Sequence, residues 1–448
     1  MDKVDASDGA QLPELFLARV AGRDCKVGVL GLGYVGLPLG LAFAEAGFAA
    51  LGFDVDAGKV ATLEAGGSYI ETMDAGRLRA AMAGGRLAAT ADFDRLAEPD
   101  ALLICVPTPL DRYLQPNLSY VVKTAEEIAR RLRRGQLVIL ESTTYPGTTE
   151  ELVKPILEKS GLSCGEDFFL AFSPEREDPG NTKFGTTAIP KVMGGVDEIS
   201  GRLAEALYQD VFTGTVRVSH AKVAEAAKLT ENIFRAVNIA LVNELKVVYD
   251  AMGIDVWEVI DAAASKPFGF MRFTPGPGWG GHCIPVDPFY LSWKAREFGQ
   301  RARFIELAGE INVMMPHYVI GKLHHALNRH GKPLQGSKVL VIGIAYKPDI
   351  ADPRESPAFE ILELLLSMGA VVSYHDPHIP KAPKMRTWPD LPPLESVDPE
   401  PEKIAAQDAV LIVTNHSAVD YRELARHAAL IVDTRGVYRG GEPNVVKA

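Results

Sequence analysis

An apolar run, Lys26-Val-Gly-Val-Leu30, leads straight into Gly31-x-Gly33-x-x-Gly36 and then into an alanine- and leucine-rich stretch ending at Gly47. Few folds accept that order. The first glycine permits a tight strand-to-helix turn, the second lets a diphosphate approach the backbone, and the third lets helix and strand pack closely. The phosphates then meet the free N–H groups and positive dipole end of the helix. A second apolar run, Ala50-Leu-Gly-Phe53, ends on Asp54, 21 residues after Gly33. A carboxylate there holds an adenosine ribose diol and repels a 2′-phosphate. The residues therefore point to NAD, with Gly31, Gly33, Tyr34, Val35 and Gly36 in the phosphate loop, Asp54 at the ribose and Lys59 within reach of it.

Further short apolar runs follow, each preceded by a helix-like segment: Ala101–Val106 and Leu137–Leu140, with Phe168–Phe172 beyond them. Apolar strands alternating with helices imply a parallel sheet covered on both faces. The C-terminal part repeats the order, with Lys338–Gly343, Val371–Asp376, Ala409–Val413 and Leu430–Asp433. Between the two lies Ser219–Gly253, which reads as one helix capped by Ser219 and stopped by Gly253, with Leu229, Ile233, Val237, Ala240, Leu241 and Leu245 as its apolar stripe. About thirty helical residues span roughly 45 Å, more than a sheet needs for cover. Joining two domains, or packing on a second subunit, suits such a helix. Residues 382–402 hold six prolines and read as surface loop. The fold class is thus α/β, with two doubly wound parallel-sheet domains joined by a long central helix. The expected division is 1–22 as an N-terminal extension, 23–215 and 331–448 as the sheet domains, and 216–330 as the helical connector.

Composition narrows the class further. A chain of 448 residues accommodates about three domains at roughly 150 residues each. A net charge of −11 speaks against nucleic acid as a partner. The four cysteines (Cys25, Cys105, Cys164, Cys283) are widely spaced, with no CxxC pattern and no Cys/His cluster, so neither a metal site nor a disulfide framework is expected. A reducing, cytoplasmic setting follows. The acidic Met1–Asp24 segment does not resemble a signal peptide. Val27–Ala44 has no charge and mimics a membrane span, but its five glycines and Pro38 argue against one.

A second glycine cluster, Gly276-Pro-Gly-Trp-Gly-Gly-His-Cys283-Ile-Pro-Val-Asp287, surrounds a cysteine with little side-chain bulk. Alone, such a cysteine is more often a small buried hydrophobe. Beside an NAD site and an acid four residues on, it reads as a thiolate nucleophile that holds an aldehyde-level intermediate. His282 is taken as structural. Lys228 and Asn232, four apart, share a helix face and can direct donors at one oxyanion, or can simply be a solvated face. Thr143 follows the Leu137–Leu140 run, Glu175 and Arg176 follow Phe168–Phe172, and Lys347 and Arg354 follow Lys338–Gly343. All follow strands at the edge where ligands bind in such sheets, and each alone reads equally as ordinary polar surface.

Six motifs then occur in one order: GLGYVGLP at 31–38, VPTP at 106–109, ESTTYPGTT at 141–149, SPER at 173–176, GPGWGGHCIPVDP at 276–288 and AYKPDIADPRES at 345–356. In these the chain resembles the UDP-glucose/GDP-mannose dehydrogenase family from about Lys26 to Tyr438. The resemblance implies two Rossmann-like domains, NAD in the first, a UDP-sugar in the second, and a homodimer or larger homo-oligomer built around the long helix. It implies Cys283 as nucleophile and Lys228 and Asn232 as an oxyanion-stabilising pair. Asp287 would position water, with Glu175 and Thr143 lining the reacting centre. Thr108 and Arg354 fall on the cofactor side, and Arg176, Arg272, Gly280, Lys347 and Arg435 on the substrate side. The loop around Arg272 departs from the glucose enzymes. PFGF at 267–270, SPEREDPGN at 173–181 and FIELAGEIN at 304–312 are similar to members acting on UDP-N-acetylhexosamines.

The resemblance implies a four-electron oxidation of the sugar C6 alcohol to the carboxylate, through a thiohemiacetal and a thioester on Cys283. UDP-N-acetylglucosamine is the expected substrate, with UDP-N-acetylmannosamine or UDP-glucose as alternatives. Polysaccharide or O-antigen synthesis is the expected setting. The rival readings are a two-electron dehydrogenase, which needs no nucleophilic cysteine, and a binding protein without turnover.

Overall fold

The computed structural model describes residues 11–448 other than 71–72, 112, 177–184, 282, 386 and 441. The expectation placed on His282, and residues 177–181 of the 173–181 motif, lie outside them. The chain divides into two compact units, one running up to Glu231 and including Trp293–Phe298, the other comprising Asn232–Ser292 and Gly299–Ala448.

Among the described residues of the first unit, eight strands form one sheet: β1 (Lys26–Leu30), β2 (Ala49–Phe53), β3 (Leu87–Thr90), β4 (Ala101–Ile104), β5 (Leu137–Leu140), β6 (Phe169–Phe172), β7 (Lys191–Gly195) and β8 (Thr215–Arg217). Their spatial order is β3-β2-β1-β4-β5-β6-β7-β8. The first six follow the doubly wound dinucleotide-binding order and are parallel, while β7 runs antiparallel to β6. Register aligns their carboxyl ends: Leu30 lies opposite Phe53 on β2 and Ile104 on β4. Gly31, Asp54 and Cys105 therefore emerge at one edge. Val27, Val29, Leu103 and Ile139 enter a core closed by Phe43 and Phe48, and the helix Leu12–Ala21 contributes Phe16 and Val20 to the same core. Sequence reading missed β3, β7 and β8, which are short or rich in small residues.

The second unit holds β9 (Lys338–Ile342), β10 (Val371–His375), β11 (Ala409–Ile412), β12 (Ile431–Asp433) and β13 (Val445–Lys447), all parallel, in the order β10-β9-β11-β12-β13. Among the described residues no strand corresponding to β3 flanks β10. The proline-rich segment takes that edge, with Val397 N–H donating to the Tyr374 carbonyl at 2.8 Å and Trp388 stacked on Phe359 at 5.8 Å. The expected surface loop is thus a strap with one buried side. Proline cannot donate to a ladder, which keeps the strap from becoming a strand.

The central helix spans Ala221–Ala251 and passes from one unit into the other. Its cap is His220, whose Nδ1 accepts the Lys222 N–H at 3.4 Å, in place of the expected Ser219. Gly253 stops it at φ +71°. The expected stripe is broken: Leu229 and Ala240 are buried, but Leu241 is 49% exposed because it lies about 100° around the helix from Ala240. Val27–Ala44 resolves into β1, a loop and the helix Gly36–Glu45. Among the described residues no helix is long and apolar enough to cross a membrane.

Candidate active site

The glycine loop fits a dinucleotide by three different geometries. Gly31 has φ +96°, and a Cβ on it would lie 2.7 Å from the Cys105 carbonyl. A Cβ on Gly36 would overlap the Gly31 carbonyl, so the helix packs directly on the turn. At Gly33 a Cβ would meet nothing within 4 Å, which leaves that backbone approachable from outside. Asp54 is 7% exposed, and its Oδ2 accepts the Leu32 N–H at 2.9 Å while its Oδ1 accepts that of Asp56 at 2.9 Å. Lys59 Nζ lies 3.4 Å from the same carboxylate. The acid is therefore held at the loop with its charge only partly balanced, as a ribose diol requires. Val35 sits at the amino end of the helix Gly36–Glu45, and Tyr34 beside it is 46% exposed. Thr108 lies half-buried in the loop after β4.

Two more loops leave the same edge. Thr143 follows β5 and is half-buried. Ser173–Arg176 follows β6 and is held from beneath by Lys191, which donates to Glu141 Oε2 at 2.5 Å and to the Pro174 carbonyl at 3.2 Å. Glu141 and Lys191 are 0% and 4% exposed, and Tyr208 donates its hydroxyl to the other Glu141 oxygen. Burial would disfavour both charges, but a hydrogen-bonded pair offsets much of that cost. On the central helix, Lys228 donates to the Glu175 carbonyl, and Glu231 pairs with Arg176 at 2.7 Å. Lys228 is 6% exposed, so the solvated-face reading does not hold.

In the second unit, the Cys283 carbonyl accepts the Asp287 N–H at 2.8 Å, which sets the thiol one turn before the helix Asp287–Glu297. Asp287 Oδ2 accepts from Asn232 Nδ2 at 2.5 Å, and both side chains are buried. The surrounding glycines are filled by protein. A Cβ on Gly276 would lie 2.5 Å from the Arg435 guanidinium, and one on Gly280 would lie 2.7 Å from Tyr346 Cβ. Gly281 N–H donates to the Arg354 carbonyl at 3.1 Å. The low bulk thus serves close packing of this loop on Tyr346 and Arg435. Arg435 Nε donates to the Val413 carbonyl at 2.6 Å, and burial of the guanidinium pulls its pKa down to about 10.

Asp376, at the end of β10, is the positional counterpart of Asp54, yet its carboxylate is filled internally. It accepts the N–H groups of Ile344 (2.7 Å), Ala345 (3.1 Å), His378 (2.9 Å) and Ile379 (3.0 Å), and His416 Nε2 lies 3.1 Å away. Burial alone would raise its pKa, but these hydrogen bonds and the imidazole hold it below the usual range. Asp349, His378 and His416 bring one possible ligand atom each within 4.8 Å. His416 Nδ1 already accepts the Asp349 N–H at 3.0 Å, so both its nitrogens are engaged. The second sheet keeps the dinucleotide-domain frame without an open ribose acceptor at this position.

Family models match almost the whole chain: the NAD-binding domain of the UDP-glucose/GDP-mannose dehydrogenase family over residues 25–212, its central domain over 222–314 and its UDP-binding domain over 340–440. The chain belongs to the UDP-glucose/GDP-mannose dehydrogenase family. It is accordingly an NAD-dependent oxidoreductase acting on a CH–OH group. Among relatives of this family, a UDP-N-acetyl-D-glucosamine 6-dehydrogenase of Pseudomonas aeruginosa is 36% identical over 421 residues, covering 92% of this chain and 97% of that one. An NDP-N-acetyl-D-galactosaminuronic acid dehydrogenase of Ralstonia solanacearum is 36% identical over 422 residues, covering 92% and 96%. A solved UDP-D-ManNAc dehydrogenase from Pyrococcus horikoshii superposes with a TM-score of 0.85 at 32% identity, covering 94% and 98%.

In this dehydrogenase the structure joins Asn232 to Asp287, Lys228 to Glu175, and Asp54 to the glycine loop. Lys347 lies half-buried with its ammonium 5.9 Å from the Tyr346 ring, and Arg354 pairs with Asp352. Arg272 is exposed and pairs with Asp261 at 2.7 Å, which also meets Arg439 at 3.2 Å. Sequence reasoning missed Lys191, Tyr208, Glu225 and Tyr346. Glu225 lies three residues before Lys228 on the central helix, a spacing that was the one available signal.

Proposed function

We propose that this dehydrogenase oxidises the C6 hydroxyl of a UDP-N-acetylhexosamine, UDP-N-acetylglucosamine in particular, to the uronic acid in two steps. The support comes from one observation above all: Cys283 stands one turn before a buried Asp287 that orients Asn232, in a chain whose first unit carries an NAD loop. Two NAD+ in succession would supply the hydride acceptor, one for each oxidation. The Cys283 thiolate captures the aldehyde as a thiohemiacetal, whose oxidation leaves a thioester for water to hydrolyse. Asn232 and Lys228 donate to the successive oxyanions, and Asp287 or Glu175 takes the proton from water. Two oxidations at one carbon require that covalent hold, because a free aldehyde would escape. Lys347 and Arg435 would supply positive charge to the diphosphate, and Arg176 and Arg272 would add to it only by leaving Glu231 and Asp261.

The 267–270 and 304–312 motifs support a UDP-N-acetylhexosamine, and the choice of N-acetylglucosamine rests on the likeness to the UDP-N-acetyl-D-glucosamine 6-dehydrogenases, beside relatives of about equal identity that carry other sugar names. Phe234, Leu241 and Val248 are exposed at seven-residue spacing on the central helix, which supports a homodimer formed along it. The four free cysteines fit the reducing cytoplasm. The test offers NAD+ with UDP-N-acetylglucosamine, UDP-N-acetylmannosamine, UDP-glucose and GDP-mannose separately, and counts NADH per sugar consumed. Two NADH per UDP-N-acetylglucosamine are expected. One NADH per sugar overturns the four-electron reading, preference for another sugar overturns the substrate, and no NADH with any of them favours a binding protein.

A further inference from the structure

The central helix holds both loops of the first unit through residues spaced one turn apart. Lys228 takes the Glu175 carbonyl and Glu231 takes Arg176. One turn before Lys228, Glu225 has 0% exposure and accepts three hydrogen bonds: from Gly147 N–H at 2.5 Å, Thr149 N–H at 2.9 Å and Thr149 Oγ1 at 2.7 Å. Three hydrogen bonds converge on this carboxyl, two of them from backbone N–H groups on different oxygens, so a group with two acceptor oxygens satisfies both N–H groups at once. A buried carboxylate is costly to desolvate, and an uncharged side chain would avoid that cost. What the charge secures is direction, since two backbone N–H groups of one turn converge on a single side chain. Gly147 has φ +106°, and the chain runs on into one π-helical turn at Thr149–Val153. Glu225 has no part in the proposed chemistry.

We propose that Glu225 is a positioning residue whose carboxylate clamps the Gly147–Thr149 turn to the central helix and so fixes the Thr143 loop relative to Lys228. The proposal rests on the reading that Thr143 and Lys228 serve the reacting centre. A small displacement of such a loop is enough to disturb a reaction that depends on alignment. Glu225→Gln is the informative change, because the amide presents an NH2 group to one of the two backbone donors and leaves it unsatisfied.

The experiment measures steady-state kinetics of Glu225→Gln, Thr143→Ala and the double variant with UDP-N-acetylglucosamine, together with thermal melting. Glu225→Gln is expected to lower kcat by about 10- to 100-fold while leaving the KM for NAD+ unchanged. In the Thr143→Ala background the same change is expected to cost less than about threefold, since the two act through one loop. Losses that multiply, or an unchanged kcat, overturn the proposal. If Glu225→Gln does not fold, Glu225→Asp keeps the charge and withdraws it by one methylene, and the same coupling to Thr143 is required. Amide hydrogen exchange of the 142–149 peptide reads the clamp without turnover: about tenfold faster exchange at Gly147 and Thr149 is expected in the variant. Unchanged exchange overturns the clamp, whereas a protected wild-type turn in a protein inactive on every sugar counts against the proposed function alone.

Discussion

Asn232 Nδ2 donates to Asp287 Oδ2 at 2.5 Å, and the two side chains are 5% and 2% exposed. A carboxylate only accepts, so it turns the amide nitrogen toward itself and defines where the second N–H points. Asn232→Ala is expected to lower kcat by roughly 100-fold or more, the usual cost of losing an oxyanion donor. Asp287→Asn lets the amide face either way and is expected to lose activity to a similar degree, with little further loss in the double variant. NADH production by all three variants checks this, and multiplying losses would mean that the two residues act separately.

In the proposed reaction Cys283 carries the second oxidation. In Cys283→Ser the stoichiometry of two NADH per sugar is expected to collapse, and a carbonyl-trapping reagent is expected to capture aldehyde product. Mass spectrometry of the quenched wild-type enzyme should in turn find an acyl adduct on the peptide containing Cys283. Full four-electron turnover by the serine variant would sink the thioester route.

Gly33 and Gly36 should separate binding from folding. A methyl group at Gly33 has nothing within 4 Å, so Gly33→Ala should shift stability by no more than about 0.5 kcal/mol while weakening NAD+ binding. A methyl group at Gly36 overlaps the Gly31 carbonyl, so Gly36→Ala should cost about 1–3 kcal/mol or more through forced backbone movement. Thermal melting beside NAD+ titration distinguishes them. Equal melting temperatures for the two variants would contradict the packing assigned to Gly36.

Asp250 offers a pH test in the second unit. Burial would raise its pKa, but hydrogen bonds from Lys322 (2.9 Å) and Tyr318 (2.8 Å), with the Lys246 charge, hold it below the ordinary value. An acid depressed in the folded state contributes stability above its unfolded pKa and loses it as pH falls through the folded one. Asp250→Asn is therefore expected to cost about 1–3 kcal/mol at neutral pH, where wild type holds the full interaction. The gap should close as pH drops below about 3.9, the unperturbed Asp value. Urea unfolding across that range checks the sign, and a gap that widens in acid would reverse the assignment.

Much of the fold was legible because its signals are local. Lys26–Leu30, Gly31-x-Gly33-x-x-Gly36 and Asp54 lie within thirty residues, and each has a steric or electrostatic reason to be what it is. The same holds for the C-terminal strand runs. β3, β7, β8 and β13 escaped because Leu87–Thr90, Lys191–Gly195, Thr215–Arg217 and Val445–Lys447 carry apolar runs of at most three residues and are recognisable as strands by pairing with neighbours. The proline-rich strap was legible as irregular but not as packed, since Trp388 finds Phe359 only once the second sheet exists.

Order along the chain was enough to define the fold class, the family and NAD as the cofactor, and to single out Cys283 as the candidate nucleophile, because short-range sterics and motif spacing survive without knowledge of distant contacts. It could not say what fills a glycine's empty side: open space at Gly33, but Arg435 and Tyr346 at Gly276 and Gly280. Nor could it show that Asp54 accepts the Leu32 N–H of the glycine loop while Asp376, its counterpart, is closed off by His416. Tertiary structure alone brought Glu225 to Gly147, 78 residues away, and Lys191 to Glu141, 50 residues away. A buried charge must find its partner wherever the fold places one, and that place is set by the packing of whole elements rather than by the residues beside it.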